Sequence, residues 1–359
     1  MIQTNCHPIL IGSLPHSTHA EAVRLVLRHC PQIPLWPQLP QQPREGMVRQ
    51  FLTGFPGLTE EGKNYRIDTE GDDFAAEMAS FYEDYFLCSE NPSALNHSRF
   101  ALDHDAAAGF FALLDALETR EHSFITLKGQ ITGPVTAGTG LRDTRGNAVI
   151  YDDNLRDMMV KHLALKGVWQ IKNLHRFTGS AKPIIFIDEP GIVSFGSTGF
   201  SGVTREMVTQ SVTEVIEHLH WAGGLAGIHI CANGDWTPAL ASPADIISFD
   251  AYFYFDNFIL YKEPLTDFLK RGGILAWGIV PTSDPQVVER ENSLSLFTRL
   301  RQQLATLSTF TIPERRLISQ ILIAPSCGTG SLSPELAEKV LTMTGEVSQM
   351  ARSYYQSPK

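Results

Sequence analysis

Along the chain, short runs of apolar and β-branched residues recur between stretches whose apolar positions repeat every three or four residues. Eight runs stand out: Ile9–Ser13, Pro34–Leu39, Phe124–Lys128, Ile184–Asp188, Gly227–Cys231, Ile246–Asp250, Ile274–Gly278 and Ile321–Pro325. Several are apolar at nearly every position, such as Ile184 to Ile187 and Ile321 to Ala324. A strand with one wet face alternates, and one buried on both faces does not, so these runs predict parallel strands covered by helices. The intervening stretches Ala20–His29, Ala106–Thr119, Leu155–Leu174, Thr204–Trp221, Glu263–Lys270, Ser293–Ala305 and Pro334–Tyr354 carry helical amphipathic spacing. The last opens with Ser333 suited to cap and Pro334 suited to the first helical position. Strand and helix alternating eightfold predicts an α/β fold, a single (β/α)8 barrel spanning residues 1–359, with a doubly wound open sheet as the alternative.

Residues 41–122 break this rhythm, being too long for one crossover helix. They contain a hairpin-like piece, Gly57–Asp68, and a helical run, Asp73–Leu87, and read as an insertion after the second strand, on the side of the active site. No internal repeat, low-complexity tract or linker divides the chain.

Composition narrows the function classes. The apolar fraction of 43% supplies a large core, and the charged fraction of 19% is too low for a disordered chain. A net charge of −10 and a pI near 5.6 leave no basic stripe for a phosphate backbone, so no nucleic-acid partner is expected. The stretch Met1–His16 has no basic region ahead of a long apolar run, and no later segment offers eighteen uninterrupted apolar residues. Neither a secretory leader nor a membrane anchor is expected. Five cysteines (Cys6, Cys30, Cys88, Cys231 and Cys327) are odd in number and too scattered for a disulfide framework, which fits a reducing, cytoplasmic setting.

In barrels of this kind the reactive groups sit at the carboxyl ends of the strands. The fifth predicted strand ends His229-Ile230-Cys231, and alternation turns the imidazole and the thiol to one side. The sixth ends in Asp250 and the eighth runs into Cys327-Gly328. Free cysteines are often small core residues, and an isolated His-x-Cys carries little. Three such groups, each at a predicted strand end, point instead to a metal of borderline softness, Zn²⁺, with Asp250 either a further ligand or a partner of neighbouring backbone. The fourth strand closes on Asp188-Glu189, two adjacent carboxylates of which one is expected to face substrate and the other its neighbours; an ion pair between strands is the alternative. The first ends Gly12-Ser13, where backbone N–H groups can hold an anion or simply make a tight turn. Thr136–Asp152 and Ser194–Gly202 are Gly-rich stretches on the same face, expected to act as mobile lids.

Taken together, IGSLPH at 11–16, KGQITGPVT at 128–136, IDEP at 187–190, HIC at 229–231, PADIISFDA at 243–251 and APSCG at 324–328 resemble cobalamin-independent methionine synthase and the related zinc methyltransferases built on the uroporphyrinogen-decarboxylase barrel. The resemblance runs from about residue 9 to 350. It implies a zinc site of His229, Cys231 and Cys327, with Asp250 where the family has a glutamate, and implies Ser13 and Asp188 as binders of the amino-acid end of a homocysteine-like thiol. The chain matches the catalytic half alone, as in short core-type methionine synthases, which implies methylcobalamin or a corrinoid protein as methyl donor. It departs in two places. Arg49, with Glu45 nearby, stands where the family has a second carboxylate, which leaves room for an acidic thiol. GIVPTS after the seventh strand lacks the family's histidine. Other readings are a methylcobalamin:coenzyme M-type methyltransferase, a metal-free decarboxylase of a porphyrin-like substrate, and a non-catalytic corrinoid- or thiol-binding protein.

Overall fold

The computed structural model describes residues 2, 4–62, 64–119, 124–194 and 202–356. The first two strands along the chain, β1 (Leu58–Glu61) and β2 (Asn64–Ile67), pair antiparallel as the hairpin expected within Gly57–Asp68. The next six are β3 (Lys128–Thr132), β4 (Ile184–Asp188), β5 (Leu225–Ile230), β6 (Ile246–Phe249), β7 (Ile274–Val280) and β8 (Ile321–Pro325). They lie side by side in chain order in one parallel sheet.

Helices cross between successive strands as the periodicity predicts. The longest, Asp153–Thr178, starts where the Asp152 carboxylate accepts the N–H groups of Asn154 and Leu155. Thr204 caps Arg205–Trp221 in the same way through the Met207 N–H. These side chains satisfy first-turn donors that have no partner inside a helix. The helix Pro334–Gln356 follows β8 and packs on it.

The predicted first and second strands, Ile9–Ser13 and Pro34–Leu39, are extended segments held by isolated bridges. Pro8 pairs with Ile323 at one edge of the sheet, Leu35 with Lys128 at the other, and Ser13 with Gln38 between them. Pro8, Pro34 and Pro37 lack the N–H that a continuous ladder needs, which keeps the pairing intermittent. The six-stranded sheet itself is open. The third strand also needs correction: it begins at Lys128, where Phe124–Lys128 was expected to end. Its inward residues are the polar Lys128, Gln130 and Thr132, all buried, so the apolar pattern hides it.

Each face of the sheet has its own core. Ile185, Ile187, Ile228, Ile247, Phe249 and Trp277 pack under the helices. On the other face Ile184, Phe186, Ile246, Ile274, Ala276 and Leu322 gather with Ile9 and Leu35 from the two bridged segments. The Lys128 ammonium sits on this second face, 4.5 Å from the centre of the Phe186 ring, and donates to the Ile11 carbonyl at 2.6 Å. Burial holds its pKa down to about 8.

Candidate metal centre

Strand register builds the site. Thr132, Asp188, His229 and Ser248 are successive partners across β3, β4, β5 and β6, so four polar side chains form a row on the inner face at the carboxyl ends of the strands. Such groups are normally hydrogen-bonded when buried. Here the Thr132 hydroxyl, Asp188 Oδ1 and His229 Nε2 are buried without a partner. Only His229 Nδ1 is engaged, at 2.9 Å from the Ser248 hydroxyl. With that hydroxyl accepting, the proton resides on Nδ1 and the Nε2 lone pair is free.

Cys231 stands just past β5 and Cys327 just past β8, both half-buried. Ligand atoms of His229, Cys231 and Cys327 lie within 4.8 Å of one another. The thiols are linked. A hydrogen bond from Cys327 holds the Cys231 thiol well below the usual thiol range, while Cys327 is pushed up as the donor to that thiolate. The other three cysteines are core residues: Cys6, Cys30 and Cys88 are buried, and burial pushes the Cys30 thiol up to about 12. A soft ligand set with an unpartnered imidazole nitrogen fits a zinc-type ion.

The remaining expected site residues fall in different places. Asp250 is buried but lies outside that group of three; one of its oxygens accepts the Phe253 N–H at 2.9 Å and starts the helix Ala251–Phe258. Burial raises its pKa to about 6. Asp188 stands in the polar row, likewise raised to about 6 by burial. Glu189 points the other way. It accepts the N–H groups of Val135 at 3.0 Å and Thr136 at 2.7 Å, as well as the Thr136 hydroxyl. Its backbone N–H donates to the His229 carbonyl at 2.9 Å. Gly133 is required there, because a Cβ would overlap the Glu189 carboxylate. This anchor alters the first expected lid: Pro134–Gly140 is a short packed helix with Val135 and Ala137 buried. In the second, Ser194–Gly202, residues 195–201 lie outside the described residues.

Ser13 borders Cys327 through the turn that follows it. The Ser13 carbonyl accepts the Thr329 N–H at 2.9 Å, and Gly328 leaves space that a side chain would take from the Ser13 hydroxyl. Arg49 is turned toward the hairpin, paired with Glu60 at 2.7 Å and donating to the Pro43 carbonyl at 2.9 Å. Glu45 is buried between His19 Nε2 and the Leu39 N–H, each at 2.6 Å. Thr132 and Ser248 were not singled out from the sequence. Both lie inside quoted motifs, but their link to His229 exists only through register.

A scan against protein-family models and a search of curated proteins each return no match to this chain.

Proposed function

We propose that this chain is a zinc-dependent thiol methyltransferase of methionine-synthase type, moving a methyl group from methylcobalamin or a corrinoid protein to a small thiol such as homocysteine. The observation that carries the reading is the group of His229 Nε2 and two thiols, with the imidazole nitrogen buried and unpartnered. Its placement at the carboxyl ends of parallel strands suits a (β/α)8 barrel, and the two bridged segments at the sheet edges are what would close one.

Zinc bound there would lower the pKa of a coordinated thiol and keep it nucleophilic at neutral pH. His229, Cys231 and Cys327 would hold it. Ser248 orients the imidazole, and Glu189 pins the end of β4 against the helix Pro134–Gly140. Asp188 is then placed beside His229 with one oxygen free to accept a hydrogen bond from a substrate ammonium. No helix among the described residues is long and apolar enough to cross a membrane. The thiol ligands suit a reducing compartment such as the cytoplasm.

The test combines metal analysis with turnover. Purified protein is expected to hold about one equivalent of zinc and to convert methylcobalamin and homocysteine to methionine. Methylation of coenzyme M instead would move the acceptor to a sulfonate thiol. A zinc-free protein inert toward both thiols after zinc loading would overturn the reading.

A further inference from the structure

One cavity of the molecule lies away from the cysteine pair. A cleft of about 1200 Å³ opens at the amino ends of the strands, among the starts of β5 and β7, the chain segment around Asn5 and the turn at Arg271. Ile125, Leu225 and Ile274 give it an aliphatic wall, and His7, Lys182 and Arg271 stand around it.

Arg271 there is near Asp245 and donates to the Ser242 carbonyl. His7 is buried, and its Nδ1 has no partner. Arg352, from the helix Pro334–Gln356, is near enough to His7 to repel its protonated form, and the Arg352 Nε is also buried without a partner. Arg352 and Lys182 make no ion pair among the described residues. Asp245 is the one carboxylate at the cleft among the described residues, and it is already bound by His220 Nε2 and the Ala226 N–H, each at 2.8 Å. The backbone beside His7 is held in an uncommon conformation. Asn5 and Cys6 have φ of 39° and 59°, the positive-φ residues other than glycine among those described. The Cys6 N–H donates to Ile321 at 2.9 Å and its carbonyl accepts from the Ser348 hydroxyl at 2.7 Å, which over-determines that shape and fixes where the His7 ring emerges. Backbone strain of this sort concentrates at ligand sites.

We propose that this cleft is a second ligand site, for a small amphipathic anion whose carboxylate or phosphate meets His7, Lys182 and Arg271 while its apolar body covers Ile125, Leu225 and Ile274. A concave cleft with an apolar wall and a few convergent polar groups is the usual form of a small-molecule site. Lys182 and Arg271 stand exposed at the rim of this cleft, and the buried His7 Nδ1 is left to pair with a ligand. The site is separate from the metal cluster and does not rest on the methyltransferase reading.

The experiment is calorimetric titration of the full chain with octanoate, octyl phosphate and octanol. One site per chain is expected for at least one of the two anions, bound roughly tenfold or more tighter than octanol, as for a charge-assisted hydrogen bond. The tighter anion identifies the head group. Lys182→Ala and Arg271→Ala, both at exposed positions, should each weaken that binding about tenfold, whereas Cys231→Ala should leave it unchanged. Octanol binding as tightly as both anions, no saturable binding of either anion, or parent-like affinity in both cleft variants with an unchanged circular dichroism spectrum would overturn the proposal.

Discussion

The same parallel strands end in two opposite environments. At their carboxyl ends the inner face collects groups that bind cations: Asp188 with a free oxygen, Asp250, an unpartnered imidazole nitrogen and two linked thiols. At their amino ends the strands start from apolar residues, Ile184, Ile246 and Ile274, and the surrounding segments bring in cationic side chains, Lys182 and Arg271. In between, Phe186 and Ala276 fill the inner face, with Lys128 as its buried cation. The difference teaches that an unpartnered polar atom is informative through its company. His229 Nε2 stands among soft and acidic ligands, and His7 Nδ1 stands near an arginine.

The strongest way to break this contrast is at the thiols. Cys231→Ala or Cys327→Ser should reduce bound zinc from about one equivalent to near zero, read by elemental mass spectrometry. Full retention in both variants would remove the carboxyl-end cluster as a metal centre. Next is the hydroxyl behind the imidazole. Ser248→Ala frees His229 Nδ1, and zinc affinity measured by chelator competition should fall about tenfold to a hundredfold, as for lost outer-shell partners generally.

Asp188→Asn separates ligand from metal roles. It keeps the shape and removes the charge, so zinc should stay while affinity for homocysteine falls about tenfold to a hundredfold. An acceptor without an ammonium should bind the variant as it binds the parent. Unchanged homocysteine binding there, with loss in Arg49→Ala, would favour an acidic thiol despite the Arg49–Glu60 pair.

Two smaller effects sharpen the boundary of the cluster. Asp250→Ala should cost about 1 kcal/mol of stability by removing a helix cap, measured by urea unfolding, with zinc retained. Loss of zinc would instead make Asp250 the fourth ligand. Glu189 has a folded pKa near 7, raised by burial from an ordinary value of 4.5. Its contribution to stability is therefore whole below about pH 4.5 and drains away as pH rises through 7. Glu189→Gln should flatten that slope in unfolding measurements between pH 4.5 and 8.

Much of this was legible along the chain because it depends on local repetition. Apolar runs located β4 to β8, and three- and four-residue spacing located the helices to within a few residues. His229, Cys231 and Cys327 could be grouped because each follows or ends such a run. β3 escaped for the reason that makes it useful: its inner residues are polar, and Lys128 and Gln130 are buried because backbone carbonyls of other segments, Ile11 and Trp36, accept from them.

What the sequence by itself determined is the alternation of strand and helix and the placement of His229, Cys231 and Cys327 at strand ends, since these follow from neighbouring residues and their period. Only the tertiary structure decided which carboxylate serves which purpose. Asp188 and Glu189 are adjacent in sequence and chemically alike, yet alternation sends one into the row beside His229 and the other into the backbone donors of Val135 and Thr136. Arg49 met Glu60, Asp250 met Phe253 and Ser248 met His229 through folding alone. A side chain's partner is set by register and packing between distant segments, and no local pattern records it.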